Sequence, residues 1–190
     1  MSAQHPDLLA YGLNRGNLHL RLWHEDDAAA LVNAVQESME SIGRWLAWCI
    51  PDYSAEDARH WIELTRESWQ GRGDECALAI TDKQNGELIG CIAINQFRPE
   101  HRMANIGYWV RQSRQGRGSA AKAIGMLAPY AFAYFELQRL EIVVAVENLA
   151  SRCCAERAGA YFEGIARQRL SVRGQWQDAH MYSLLPSDFA

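Results

Sequence analysis

The 190-residue sequence predicts an α+β domain: a mostly antiparallel sheet with one βαβ crossover near its middle. Three observations carry that prediction. Leu18, Leu20 and Leu22 alternate with Asn17, His19 and Arg21, the period of a half-buried strand. Two apolar runs, Cys76–Thr81 and Leu88–Asn95, flank the turn signal Asn85-Gly86 and lead into a third, Met103–Val110, as a meander. A helical stretch from Ser119 to about Phe135 then precedes Leu140–Val146, a short β-branched run of the kind buried on both faces.

The remaining elements follow in order. Ala28, Leu31, Val32, Val35 and Met39 recur at helical spacing behind Glu25, Asp26 and Asp27, acids that suit the positive end of a helix. Beyond Pro51, Ser54 is the expected N-cap of a second helix, with Asp57 three residues on. Ala58, Trp61, Ile62, Thr65 and Trp69 form its inner face, and Gly71 and Gly73 end it. Pro129 interrupts the helix after Ser119 and predicts a bend near Gly125. Ser151–Ala158 reads as a short helix stopped by Gly159, and Tyr161–Leu170 with Gln175–Leu185 as a closing hairpin about Arg173-Gly174. No repeat, linker or low-complexity segment divides the chain, so residues 1–190 read as a single domain with its core at about 17–186.

Composition narrows the function. Nineteen Lys and Arg against 23 Asp and Glu leave a net charge of −4, which argues against a non-specific nucleic-acid coat. The most apolar stretch, Ile124–Phe135, contains Gly125 and Pro129 and is far short of a bilayer span. The N-terminus has neither the basic start nor the apolar run of a signal peptide. Five scattered cysteines form no CxxC pair and suit a reducing cytoplasm, with Cys153 and Cys154 read as helix or packing residues. No metal site is expected.

The chemistry concentrates between the third meander strand and the following helix, in Ser113-Arg114-Gln115-Gly116-Arg117-Gly118. Close glycines let the backbone approach a ligand, and the free N–H groups of a helix start make an anion site. Arg111, Arg114, Arg117 and Lys122 add positive charge, so a phosphate or pyrophosphate is the natural guest. The alternative is an ordinary strand-to-helix turn with solvated arginines. The segment lacks the Gly-Lys-Ser/Thr of a Walker loop and the third glycine of a dinucleotide fingerprint.

The run Asn105-Ile106-Gly107-Tyr108-Trp109-Val110, then Ser113–Gly118, then Val146-Glu147-Asn148-Leu149-Ala150-Ser151, resembles the GNAT superfamily of acetyl-CoA-dependent N-acetyltransferases. Within it, the chain is similar to the RimJ/RimL branch, which acetylates the N-termini of ribosomal proteins. The resemblance implies the GNAT fold, with flanking helices and a V-shaped split between two central parallel strands. It implies acetyl-CoA as co-substrate and no metal. Arg114, Gln115, Gly116, Arg117, Gly118, Ser119 and Ala120 match the pyrophosphate cradle. Tyr108, Trp109 and Val110 match the strand that pairs with the pantetheine arm, and the Val110 N–H matches an oxyanion donor. Asn148 matches a residue beside the pantetheine, with a plain turn residue as its other reading. Ser151 matches the acid that protonates the leaving thiolate, with a helix N-cap as its other reading. The implied reaction is direct attack of a primary amine through a tetrahedral intermediate.

Two carboxylates of the resembling family are replaced here, one by Asn105 and one by Leu170. No base is assigned; Glu100, His101, Glu147 and His180 are the remaining candidates, each also readable as a solvated polar residue. The acceptor is expected to be a protein N-terminus, with a small amine (polyamine, amino acid or antibiotic) or an acyl-CoA-binding protein without turnover as alternatives. Neither nucleic acid nor membrane is an expected partner, and a homodimer is compatible with the family. Of seven tryptophans, Trp61 and Trp109 read as core packing, whereas Trp45 and Trp48, between the first two helices, are expected to line the acceptor groove, with buried packing as the alternative.

Overall fold

In the computed structural model, which describes residues 11–71 and 73–190, the alternating segment forms β2 (Leu18–Arg21), with Leu18 and Leu20 buried. A short β1 (Leu13–Arg15), absent from the sequence reading, folds back on it through Gly16 at φ 59°. Most of the segment read as lacking a signal peptide lies outside the described residues. The first helix, α1 (Ala28–Glu37), buries Ala28, Leu31, Ala34 and Val35. Its acidic preface forms a separate 3-10 turn, Glu25–Asp27. The second helix, α2 (Ala55–Ser68), starts as expected. Ser54 Oγ accepts the Asp57 N–H at 3.2 Å, and Asp57 Oδ2 accepts the Ser54 N–H at 2.8 Å, closing a capping box.

The meander is β3 (Glu75–Asp82), β4 (Leu88–Arg98) and β5 (Met103–Val110), antiparallel throughout. The Asn85-Gly86 signal marks the hairpin but not a tight turn: residues 83–87 form the loop, and only Gly86 takes positive φ, at 73°. The helix α3 (Ser119–Tyr134) runs through Pro129, whose missing N–H frees the Gly125 carbonyl of its helical donor. The strand β6 (Arg139–Ala145) lies parallel to β5. One face is buried through Leu140, Ile142 and Val144; on the other, Glu141 and Val143 are partly exposed and only the terminal Ala145 is buried. The expectation of burial on both faces fails because that second face borders a cleft. Finally, α4 (Leu149–Arg157) precedes β7 (Tyr161–Val172) and β8 (Gln175–Leu184). Arg173 and Gly174 turn between them at φ 51° and 78°, the two-residue hairpin turn that matches strand twist.

The eight strands form one sheet in the order β1-β2-β3-β4-β5-β6-β8-β7. One face packs Leu78, Ile80, Ile92, Ile94, Ile106 and Ile142 against α3 through Ile124, Leu127 and Ala131. On the other face α1 and α2 pack over Ala79, Cys91 and Ala93 through Leu31, Val35, Ala58 and Ile62. The feature that positions the site is where pairing stops. β5 and β6 pair only at Met103–Arg139, Ala104–Leu140 and Asn105–Glu141, after which they separate. This is the expected V-shaped split.

Candidate active site

The split opens a cleft of about 680 Å³ lined by both strands, the loop after β5, and the starts of α3 and α4. Every residue assigned to a site from the sequence lines it: Trp45, Trp48, Tyr108, Trp109, Val110, Arg114 through Ala120, Asn148 and Ser151. The backbone of β5 is divided by antiparallel alternation. The Arg111 N–H donates to the Ile89 carbonyl at 2.9 Å, so alternate residues Trp109 and Gly107 direct their peptide groups toward β4. Those of Tyr108 and Val110 face the opening. The Val110 carbonyl accepts Gln115 Nε2 at 2.8 Å, tying the loop back to the strand.

Beyond β5, Gly116 and Gly118 take φ 74° and 75°, and a Cβ on either would meet no protein atom within 4 Å. Gly118 is the N-cap of α3 and supplies no side-chain cap. The first intrahelical donor is the Lys122 N–H, bonded to the Gly118 carbonyl at 3.1 Å. The N–H groups of Ser119, Ala120 and Ala121 are therefore left for a ligand at the positive end of a 16-residue helix.

The charge around this loop corrects the sequence reading. Arg111 does not face a ligand; its guanidinium binds Glu37 and donates to Asn33 Oδ1 at 2.6 Å. That contact, with the Ser113 N–H donating to Glu37 at 2.7 Å, holds the Glu37 carboxyl down at about 2. Arg114 is turned back onto Asp82 and Glu87 at 2.9 and 3.0 Å. Two of the four cations thus brace the loop against α1 and the β3–β4 hairpin, while Arg117 and Lys122 stay exposed.

At the mouth of α4, Asn148 is the N-cap: its Oδ1 accepts the Ser151 N–H at 3.1 Å. The N-cap reading of Ser151 is therefore overturned, and so is Asn148 as a plain turn residue. Ser151 Oγ is instead 3.1 Å from the Tyr108 hydroxyl, which also donates to the Ser151 carbonyl. Burial pushes the Tyr108 phenol well above its usual range, so it stays protonated. Cys153 and Cys154 lie in α4 as expected; Cys154 packs against the core, Cys153 is exposed, and both border the cleft.

A second cavity, of about 290 Å³, adjoins the first and shares Trp48, Tyr108 and Trp109 with it. Its floor is small because the cross-strand neighbours Ala93 and Gly107 carry almost no side chain. Its walls are Trp48, Tyr53, Trp61 and Trp109. Trp48 lies 5.9 Å from Trp109 and 6.0 Å from Tyr53 between ring centroids. Trp61 packs on Trp23 at 5.2 Å, but it also faces this cavity, so core packing describes only part of it.

Glu75, which the sequence reading did not single out, also lines this second cavity. It accepts Trp61 Nε1 and Asn95 Nδ2, each at 3.2 Å, and Asn95 Oδ1 accepts Asn105 Nδ2 at 2.8 Å. Glu75, Asn95 and Asn105 are register partners on successive strands. The signal available in the sequence was an acid opening a strand whose next five residues, Cys76 to Ile80, are apolar. None of Glu100, His101, Glu147 or His180 lines either cavity. His180 is buried against Phe162 and Tyr182, where desolvation lowers its pKa. Among the described residues no three His, Cys, Asp or Glu side chains group as metal ligands, and no helix is long and apolar enough to cross a membrane.

Comparison with known proteins agrees with this geometry. The family model described as an acetyltransferase (GNAT) domain matches residues 17–161. A Bacillus subtilis (strain 168) protein provisionally named as a ribosomal N-acetyltransferase, YdaF, is 33% identical over 175 residues, 91% of this chain and 93% of its own. The ribosomal-protein-serine acetyltransferase of Escherichia coli (strain K12) is 34% identical over 97 residues, 51% of this chain and 54% of its own. Among solved structures, RimL, described as a ribosomal L7/L12 α-N-protein acetyltransferase in complex with coenzyme A, superposes with a TM-score of 0.81 at 26% identity. That match covers 93% of this chain and 97% of the other.

Proposed function

The chain belongs to the GNAT family of acetyltransferases, enzymes that use acetyl-CoA, and on that premise we propose that its acceptor is the N-terminal α-amino group of a protein of the ribosomal type. The observation that carries this reading is the continuity of the cleft. It runs from the free N–H groups at the start of α3, along the β5 backbone, to an aromatic opening where Trp48 is 42% exposed. A chain terminus enters such an open end with its remaining residues outside. The names of the relatives support the same acceptor class.

Acetyl-CoA supplies an acetyl group activated as a thioester. The cradle fits its pyrophosphate: at Gly116 and Gly118 a ligand replaces no protein atom, and the α3 terminus presents unpaired donors. Arg114 Nη and the side chain of Gln115 shape the loop, so its backbone and Arg117 are left to hold the phosphates. Tyr108 and Val110 offer strand-type hydrogen bonds to the pantetheine arm, with Trp109 closing the far side. The Val110 N–H is available where negative charge develops on the acetyl oxygen. Ser151 Oγ, oriented by the Tyr108 hydroxyl, is the proton donor for the departing sulfur, and Asn148 holds the turn that presents it. An α-amino group with a pKa of about 7.7–8.0 is partly neutral at physiological pH, so direct attack needs no strong base. We place the whole chain, 1–190, in one domain with its core at about 17–186. A cytoplasmic location is supported by bacterial relatives and five unpaired cysteines.

Thiol release from acetyl-CoA, measured with peptides carrying ribosomal-protein N-termini and with free polyamines and amino acids, tests the acceptor. Turnover with peptides at the higher kcat/KM is expected. Preference for free amines would assign a small-molecule acceptor instead.

A further inference from the structure

We propose that Glu75 and its aromatic walls form an ammonium subsite, which captures the acceptor through the positive charge on its terminal amino group; the amine gives that proton up to solvent at the open cleft mouth before it attacks. This rests on the acetyl-transfer reading above and names the group that recognises the amine.

Four observations converge. First, Glu75 lines the 290 Å³ cavity that opens directly into the cleft, between β5 and the α1–α2 loop. Second, its carboxylate is held by neutral donors alone: the Trp61 indole N–H and the Asn95 amide, each at 3.2 Å. Several other partly buried carboxylates are ion-paired instead. Asp27 pairs with Arg21, Asp82 with Arg114, and Glu141 with Arg139. Among the described residues no basic side chain forms an ion pair with Glu75. Two neutral hydrogen bonds orient a carboxylate while preserving its charge, and a partly desolvated negative charge favours a cation beside it.

Third, the walls are ring faces and edges: Trp48, Tyr53, Trp61 and Trp109. Rings around a cavity attract an ammonium through their quadrupoles, most strongly where water is excluded. Aromatic walls and a carboxylate together favour a cation over a neutral group of the same shape. Fourth, the floor is cleared by Ala93 and Gly107 on adjacent strands. The space lies at the lower edge of the roughly 300–1,000 Å³ typical of small-molecule pockets. It holds the ammonium head and one small residue, and the chain beyond leaves past Trp48. The amide of Asn105, linked to Glu75 through Asn95, lies in the same cross-strand row and joins this subsite to the split between β5 and β6.

The test is a titration of coenzyme A-saturated protein with alaninamide, which carries a free α-ammonium, and with N-acetylalaninamide, which does not. Tryptophan fluorescence gives the reading. Saturable quenching by alaninamide only is expected. Glu75→Gln should weaken alaninamide at least tenfold while leaving coenzyme A affinity within twofold, and Glu63→Gln, on the exposed face of α2, should behave as wild type. If Glu75→Gln melts early, the Trp61 indole N–H resonance of the wild type reads the same site. It should shift with alaninamide and stay fixed with N-acetylalaninamide. Equal binding of the two amides, no binding of alaninamide, or unchanged affinity in Glu75→Gln would overturn the subsite. The acceptor class is judged separately by thiol release. Turnover of polyamines but not peptides, with ammonium binding at Glu75 intact, would correct the acceptor and leave the subsite standing.

Discussion

Arg173, at the tip of the β7–β8 hairpin, donates from Nη2 to the main-chain carbonyl of Cys49 at 3.0 Å, across 124 residues of sequence. The bond fastens the hairpin to the α1–α2 loop that carries Trp45 and Trp48. Leu170, Ser171 and Val172 thereby become a wall of the cleft. Arg173→Ala should raise the acceptor KM several-fold and leave acetyl-CoA affinity unchanged, because the cradle lies at the other end. The stability loss should be small, about 0.5–1.5 kcal/mol for one exposed-side hydrogen bond. Steady-state kinetics beside a thermal melt checks both, and an unchanged acceptor KM would show that the strap does not shape the opening.

Gly118→Asp should abolish acetyl-CoA binding, at least a hundredfold by calorimetry, yet fold. Aspartate is among the few side chains that visit left-handed backbone, here at φ 75°, and its Cβ would meet no protein atom, so the strain is modest. The new charge would project where phosphate charge must sit. Retained affinity would refute the cradle.

Ser151→Ala should lower kcat by about a hundredfold with coenzyme A affinity nearly intact, within the range for loss of one general acid. Tyr108→Phe should lower kcat less, since it removes the partner of Ser151 and not the donor itself. Burial raises the Tyr108 pKa above its ordinary value of 10, so the phenol keeps its proton through pH 10. Its ionisation should not bring down the alkaline limb of the rate profile below that pH. An alkaline fall below pH 10 that disappears in Tyr108→Phe would contradict this.

The Glu37–Arg111 pair predicts an acid dependence of stability. The folded carboxyl is depressed to about 2 from an ordinary 4.5. Its contribution is therefore fully present above about pH 4.5 and disappears as pH falls through about 2. Glu37→Gln should cost about 1 kcal/mol at pH 7, the partly exposed pair being screened, and progressively less toward pH 2. Melts of both proteins across that range give the difference. A gap that widens on acidification would reverse the assignment.

Replacing Trp48 with Ala should raise the acceptor KM more than replacing Trp45. Trp48 lines both cavities and faces Trp109 and Tyr53, whereas Trp45 lines the larger cleft only and lies beneath the Arg44 guanidinium at 5.0 Å. Kinetics of the two single variants separates them. A drop in stability without a change in KM would return Trp48 to a packing role.

Local rules made much of this molecule legible in the chain. The capping box at Ser54, the Arg173-Gly174 turn, the three-strand meander and the glycine loop before α3 all depend on neighbours a few residues apart. Each formed where the pattern placed it. The misread charges share one cause. Arg111 and Arg114 read as ligand charges because their partners, Glu37, Asp82 and Glu87, lie 27–74 residues away. The alternative of Ser151 as a helix cap fell because Asn148, three residues earlier, offers the same kind of oxygen and takes that position.

By itself, then, the sequence determined the order and type of the elements from β2 onward, the glycine loop at the start of α3 and the family, because periodicity, turn chemistry and helix termini act over short spans. Tertiary structure alone decided which charges face inward, where β5 parts from β6, and that Glu75, Asn95 and Asn105 form one row beneath a cluster of tryptophans. Strand register produces such rows: residues far apart in sequence become neighbours across about 5 Å of sheet, and no local pattern records the pairing.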